Sequence, residues 1–313
     1  MPILRPPAIG IAGCHRCGHR CLKEIGALEL PALGWGQAQC AARRSQRWRA
    51  RQRGARVYPF IDLGLFRLPT YGLLLCVAIL LGVPMAVKRT QDLGMDREFA
   101  YAYLSLTVVV ALLGAKLTDW IIGRGALSLN TVAFGGGTFL GGFLLAVFAC
   151  HLATSRAKIP LLRLGDACAP SLALGVAIVR IGCFAASCDY GKPTDLPWAV
   201  VFTRPEAARL TLVPLGVPLH PSQLYESALG VVLFVSLLLL ERKPRRPGSL
   251  IFAFAALYSV GRFVLELLRG DMDRGFWGPF STSQWLSLLV LVAFSALYLR
   301  PVGPREPGMM SAK

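Results

Sequence analysis

Six ionisable residues, Lys116, Asp119, Arg180, Glu226, Arg262 and Glu266, stand inside stretches that are otherwise apolar. A Lys, Arg or Asp at the centre of a bilayer costs about 2.5 to 3.5 kcal/mol on insertion scales, so each needs a partner or a task. Lys116 with Asp119 and Arg262 with Glu266 are spaced i,i+3 and i,i+4, which puts each pair on one helical face where the charges partly neutralise and lock helices together. Lys116 and Asp119 also lie near the end of their stretch, where a long side chain reaches the interface. Arg180 has no acid within a helical turn. Two guanidinium groups converging inside a bundle repel unless an anion lies between them, and a phosphate matches the guanidinium fork. The chemistry expected of Arg180 and Arg262 is therefore recognition of a phospholipid headgroup.

The elements that must position these charges are membrane helices. Hydrophobic residues make up 54% of the 313 and charged residues only 16%, whereas an average soluble domain carries about 25% charged residues. Apolar runs long enough to cross a bilayer occur near 70–88, 101–122, 131–152, 166–186, 221–240, 248–268 and 281–299. The expected fold is an all-α integral membrane bundle of about seven transmembrane helices. The fourth run is the weakest, with Asp166 at its start and Arg180 near its end. The net charge of +17 does not indicate nucleic acid, because the basic residues lie between apolar runs and no basic face alternates with stacking aromatics. They are read as topology signals and contacts to membrane lipids. Nine cysteines, an odd number found mostly in or beside apolar runs, argue against a disulfide framework.

Lys and Arg gather in the connections 88–100, 153–165 and 241–247 and in the tail from Arg300, which assigns those sides to the cytoplasm. The N-terminus of the bundle is then outside, the C-terminus is cytoplasmic, and the connection 187–220 is the largest outside loop. The run from Arg43 to Arg56 contradicts that parity, and it has no apolar core of the signal-peptide kind. Residues 1–56 are accordingly expected to be a basic extension outside the fold, with translation starting at Val57. The domain is expected over 57–300, with a tail over 301–313. Cys14, Cys17 and Cys21 with His15 and His19 have the look of a metal cluster, but a fourth ligand and a folded unit around it are not evident, and no metal or cofactor is expected.

Four stretches carry more specific information: Arg180-Ile-Gly-Cys-Phe-Ala-Ala-Ser-Cys-Asp-Tyr-Gly191, His220-Pro-Ser-Gln-Leu-Tyr-Glu226, Gly261-Arg-Phe-Val-Leu-Glu266 and Phe280-Ser-Thr-Ser-Gln-Trp-Leu286. Gly182 and Gly191 permit close backbone approach or positive φ, and Ser222 or His220 is placed to cap the fifth span. In their order and spacing these stretches resemble the prolipoprotein diacylglyceryl transferase family of bacterial inner membranes over about residues 57–300. The resemblance implies a multi-pass inner-membrane transferase that moves the diacylglyceryl group of phosphatidylglycerol onto the lipobox cysteine of a prolipoprotein, recognised through its signal peptide, with release of glycerol phosphate. It implies that Arg180 binds the headgroup, that Arg262 and Glu266 are catalytic, that Tyr71 is a site tyrosine and that Lys116 stands where the family has arginine. Gly191, Cys183, Tyr225 and Glu226 fall in the matched motifs on the binding side.

The chain also departs from that pattern. Leu140, within Gly135-Gly-Gly-Thr-Phe-Leu-Gly-Gly142, occupies the place of a family histidine proposed as a base, and Cys183, Ala186 and Cys188 replace two asparagines and an acid. His220 is the histidine left on the outer side of the matched region, as an alternative base or as a helix cap. Cys183 and Cys188 are open to three readings: small buried residues, a disulfide, or nucleophiles. An inactive paralogue that binds phospholipid headgroups is the first alternative to the transferase. A transporter is the second, although the two halves of the chain show no convincing inverted repeat.

Overall fold

The computed structural model describes residues 57–64, 67–121, 139–157, 159–243, 246–271 and 275–299. The extension with its cysteine and histidine cluster, the glycines at 135–137 and the tail from Arg300 lie outside the described residues. The helices are α1 (Thr70–Gln91), α2 (Arg97–Ile121), α3 (Phe139–Ala157), α4 (Leu161–Ala186), the short α5 (Pro205–Thr211), α6 (Ser222–Glu241), α7 (Ser249–Glu266) and α8 (Thr282–Leu299). Five of them, α1, α2, α4, α6 and α7, are long and apolar enough to cross a membrane, and α3 and α8 contain the shorter apolar stretches Gly141–Leu152 and Thr282–Ala296.

Burial follows the rule for a lipid solvent. Leu80, Leu113, Ile121, Leu289 and Val292 are exposed on helix surfaces, while Gln223, Glu226, Arg262 and Glu266 are buried. In water this distribution would be unstable. In hydrocarbon the apolar side chains face lipid and the polar ones gather inside, where partners satisfy them.

The fourth apolar run, the weakest in the sequence, becomes the longest helix among the described residues and the centre of the bundle: α4 packs on α1, α6 and α7. Its charges are not a defect, because each is met by a neighbour. Asp166 accepts the backbone N–H groups of Gly248 (2.6 Å), Leu250 (2.8 Å) and Ile251 (2.9 Å), supplying the acceptors that the exposed amides at the start of α7 need. Small residues let the helices close. Ala169, Ala173 and Ala177 line the buried face of α4, and a Cβ added to Gly230 of α6 would lie 2.7 Å from the Ala177 nitrogen. The α2–α3 contact works the same way, with a Cβ on Gly142 meeting the Ala111 carbonyl at 2.7 Å.

Three two-stranded antiparallel pairs join the helices: β1 (Phe60–Asp62) with β2 (Arg67–Pro69), β3 (Val200–Val201) with β4 (Pro218–Leu219), and β5 (Phe276–Trp277) with β6 (Phe280–Ser281). The connection 187–220, expected as a loop, is a small folded cap. It holds β3, α5 and β4 around a buried cluster of Val57, Tyr190, Phe202, Val213 and Leu219.

Candidate active site

The charged residues singled out above converge where α4, α6 and α7 meet the cap. Arg180 is two turns from the end of α4, Glu226 begins the second turn of α6, and Arg262 and Glu266 lie in the last two turns of α7. Two arginines inside the bundle, Arg180 and Arg262, converge on a carboxylate of the chain itself, Glu226. Glu226 Oε1 lies 3.0 Å from Arg180 Nη2 and 3.8 Å from Arg262 Nε. It also accepts the Tyr258 hydroxyl at 2.6 Å. The side chain of Glu226 is 4% exposed, so its charge is tolerable only with these partners.

The network extends on both sides. Arg262 pairs with Glu266 one turn on at 2.5 Å, as their i,i+4 spacing requires, and its Nη2 donates to Ser283 Oγ at 3.4 Å. Glu266 Oε1 accepts the Ser281 hydroxyl at 2.9 Å. Ser281 also closes a capping box at the start of α8: Gln284 N–H donates to its Oγ, and its own N–H donates to Gln284 Oε1. The Phe280–Leu286 stretch thus fixes both a helix start and a site acid. Arg269, beyond α7, donates to Asp189 (2.6 Å) and Asp271 (2.5 Å). Three guanidinium groups meet four carboxylates: Arg180, Arg262 and Arg269 against Glu226, Glu266, Asp189 and Asp271.

Asp189 joins the two halves. One carboxylate oxygen takes Arg180 Nη1 at 2.6 Å and the other takes Arg269 Nη2 at 2.6 Å. Burial alone would raise the pKa of Asp189, but the guanidiniums of Arg180 and Arg269 outweigh it and hold the group at about 2. Its contribution to the fold is complete above the ordinary carboxyl range and is lost only as pH falls through about 2. Burial works against the charge of Arg269 too. Asp271 and Asp189 overcome it and raise that group further above its ordinary value.

Backbone pairing holds these side chains in register. At the end of α4, Ser187 adopts the left-handed conformation (φ 62°), and the Cys188 N–H returns to the Cys183 carbonyl at 3.1 Å. Gly191 then passes between two other segments. Its N–H donates to the His220 carbonyl (3.2 Å), Lys192 N–H donates to Leu268 (2.8 Å), and Gly270 N–H donates to Tyr190 (2.9 Å). A Cβ on Gly191 would lie 2.4 Å from the His220 carbonyl oxygen. Of the two glycine roles open from the sequence, close approach is the one used, since Gly191 is absent from the positive-φ glycines among the described residues.

The remaining expected site residues fall into separate groups. Tyr71, on the first turn of α1, lies against Gly182, where an added Cβ would meet its ring at 3.4 Å, and is within electrostatic range of Arg180, Cys183 and Asp189. Cys183 is buried with Arg180 Nη1 3.8 Å from its sulfur. Cys183 and Cys188 are free thiols, and Cys188 Sγ donates to the Cys183 carbonyl at 3.6 Å. Their sulfurs and an Asp189 oxygen lie within 4.8 Å of one another. Two guanidiniums on the same carboxylate oppose a cation there. Tyr225 turns away from Glu226 and forms a second cluster, accepting Trp198 Nε1–H at 2.7 Å and lying 3.4 Å from His220 Nδ1. Neither Ser222 nor His220 caps α6 through its side chain: the N-cap is Pro221, and Ser222 Oγ instead donates to the Asp189 carbonyl at 2.7 Å. Lys116 lies on α2, which packs on α3 and α1, and Asp119 is an electrostatic neighbour.

Four members of the network, Tyr258, Asp189, Arg269 and Asp271, are not among the site residues expected from the sequence. Tyr258 precedes Arg262 by four residues, as Glu266 follows it by four, so the three share a face and the signal was present. Asp189 stands beside Cys188, one residue past the position where an acid was expected. Arg269 lies beyond the apolar run, where a charge draws no attention.

The sequence model described as prolipoprotein diacylglyceryl transferase matches residues 59–300. Relatives named phosphatidylglycerol–prolipoprotein diacylglyceryl transferase include one from Clostridium tetani, 31% identical over 71% of this chain and 88% of its own length. Another, from Thermosynechococcus vestitus, is 34% identical over 74% of this chain and 87% of its own. A third, from Bordetella parapertussis, is 32% identical over 79% of this chain and 98% of its own.

Proposed function

The chain belongs to the prolipoprotein diacylglyceryl transferase family, and from that premise we propose that it transfers the diacylglyceryl group of phosphatidylglycerol to the lipobox cysteine of a prolipoprotein. The observation that supports this reading best is the junction of Arg180, Glu226 and Arg262, three side chains from three helices at one buried point. The protein is a multi-pass membrane transferase. The inner membrane is its location, with the N-terminus of the bundle and the cap on the outer side, where prolipoproteins emerge and present their signal peptides.

The reaction joins the prolipoprotein thiolate sulfur to the glycerol carbon that carries the phosphate. The carbon–oxygen bond breaks, and glycerol phosphate leaves with the electron pair. A thiolate is needed because the thiol is a poor nucleophile. Arg180 and Arg262 stabilise the charge that develops on the departing phosphate, an interaction that is strong where water is excluded. Glu226 and Glu266 hold the two guanidiniums in place, and Tyr71 lies against Gly182 within electrostatic range of Arg180. His220, with Tyr225 against its ring, is the proton acceptor we assign for the incoming thiol. Lys116 and Gly191 contribute to substrate binding, Lys116 from α2 and Gly191 through the backbone crossing that seats the cap.

A second reading, a lipid-binding paralogue without transfer, is favoured by Leu140 in place of the family histidine and by a network whose carboxylates already match its arginines. Complementation of a strain depleted of its own transferase separates the two. A reporter lipoprotein should gain the mass of a diacylglyceryl group, and Arg180→Ala or Arg262→Ala should lower the yield by about 100- to 1000-fold. An unmodified reporter in the presence of expressed, membrane-inserted protein would rule out the transferase.

A further inference from the structure

Asp189 is the most exposed of the ion-paired side chains in the network. Its side chain is 31% exposed, against 19% for Arg180 and 8% for Arg269. Its two oxygens span two guanidiniums from different parts of the chain, the arrangement in which a carboxylate and a phosphate are interchangeable partners for arginine. The main chain beneath it is pinned independently of the carboxylate: the Asp189 carbonyl accepts Ser222 Oγ–H, the Cys188 carbonyl accepts Gln223 Nε2–H, and Gly270 N–H donates to the Tyr190 carbonyl. The side chain can therefore leave by a change of rotamer with the backbone in place. Glu226 is placed differently, nearly sealed and held by a tyrosine as well as two arginines. Of the two carboxylates on Arg180, Asp189 is the more exposed.

We propose that Asp189 is an internal stand-in for the lipid phosphate, occupying Arg180 and Arg269 in the unliganded protein and swinging away when a phosphate-bearing headgroup binds. This rests on the assignment of Arg180 to the headgroup and adds two things to it: Arg269 as a second phosphate ligand and Asp189 as the group that sets affinity. An ionised internal competitor keeps the arginines paired while the site is empty, and it weakens binding of every anionic headgroup by the same factor. It thereby sets the affinity for anionic headgroups without altering the choice among them.

The test is binding of dioctanoyl phosphatidylglycerol to the full chain in detergent micelles, followed by tryptophan fluorescence, with dioctanoylglycerol as the phosphate-free comparison. Asp189→Asn and Asp189→Ala should tighten phosphatidylglycerol binding by about tenfold and leave dioctanoylglycerol unchanged. Asp195→Asn removes the same charge from the same connection and controls for net charge. Equal tightening in that variant, or no tightening in the Asp189 variants, overturns the proposal. Arg180→Ala distinguishes the two levels of inference. If it leaves phosphatidylglycerol binding intact, the headgroup assignment itself fails. If it abolishes binding while the Asp189 variants bind as the unaltered protein does, only the stand-in role fails. Should the Asp189 variants not fold, a structure of the unaltered chain with phosphatidylglycerol bound decides the matter. At least one Asp189–arginine contact should open beyond hydrogen-bond range, and both contacts persisting beside a bound phosphate would refute the exchange.

Discussion

The two ends of α4 each carry a partly buried charge, and they satisfy it in opposite ways. At one end Asp166 accepts three backbone N–H groups at the start of α7, a set of partners that no ligand can replace. At the other end Arg180 is held by two side-chain carboxylates from other segments, Asp189 and Glu226. Backbone partners are fixed by the fold, whereas side-chain partners can be exchanged for a ligand of the same charge. The first end is structural and the second can do chemistry, although the sequence presents both as a single charge in an apolar run.

Substitutions at the two ends should therefore differ in kind. The largest loss is expected for Glu226→Gln, which leaves Arg180 and Arg262 facing one another in a buried site. Breaking a buried pair costs about 3–5 kcal/mol, and thermal unfolding in detergent should show the destabilisation together with loss of transfer. Asp166→Asn should cost less, about 1–3 kcal/mol, because the amide oxygen still accepts from part of the α7 terminus while the second acceptor is lost. Its signature is a lower unfolding temperature with transfer per folded molecule unchanged. Arg89 and Glu241 form a two-pronged pair between α1 and α6 at 2.7 and 2.9 Å, partly exposed and near the Asp166 end. Glu241→Ala should cost about 1 kcal/mol or less and leave the reporter yield unaltered. A loss of transfer in the folded Asp166 or Glu241 variants would break the contrast between the ends.

The bundle was legible because bilayer thickness imposes a length that apolar runs reveal directly. Apolar content alone underrated α4, since a helix at the centre of a membrane bundle needs small residues and matched charges rather than the highest hydrophobicity. Arg180, Arg262 and Glu266 stood out for the cost of their position. Asp189 and Arg269 did not, because both lie outside the apolar runs and their meeting depends on how the cap folds back on the bundle. Periodicity within a helix carries no record of that contact. The capping expected of His220 and Ser222 failed for a related reason: the segment before α6 is engaged by Lys192 and Gly191, so its conformation is set by tertiary pairing rather than by the helix terminus.

The crossing at Gly191 also bears on the order in which the protein is made. Its partners are the His220 segment just before α6 and Leu268 and Gly270 just after α7, so the cap cannot be completed by a chain still emerging from the ribosome with α7 unmade. Synthesis runs from the N-terminus, and earlier helices insert first. Arg180 and Glu226 would meet as soon as α6 has inserted, but Arg262, Glu266 and Arg269 arrive only with α7 and the residues that follow it. The fold thus completes the network of Arg180, Glu226, Arg262, Glu266 and Arg269 only once α7 and the residues after it have been made, and a chain that stops before α7 lacks three of the five.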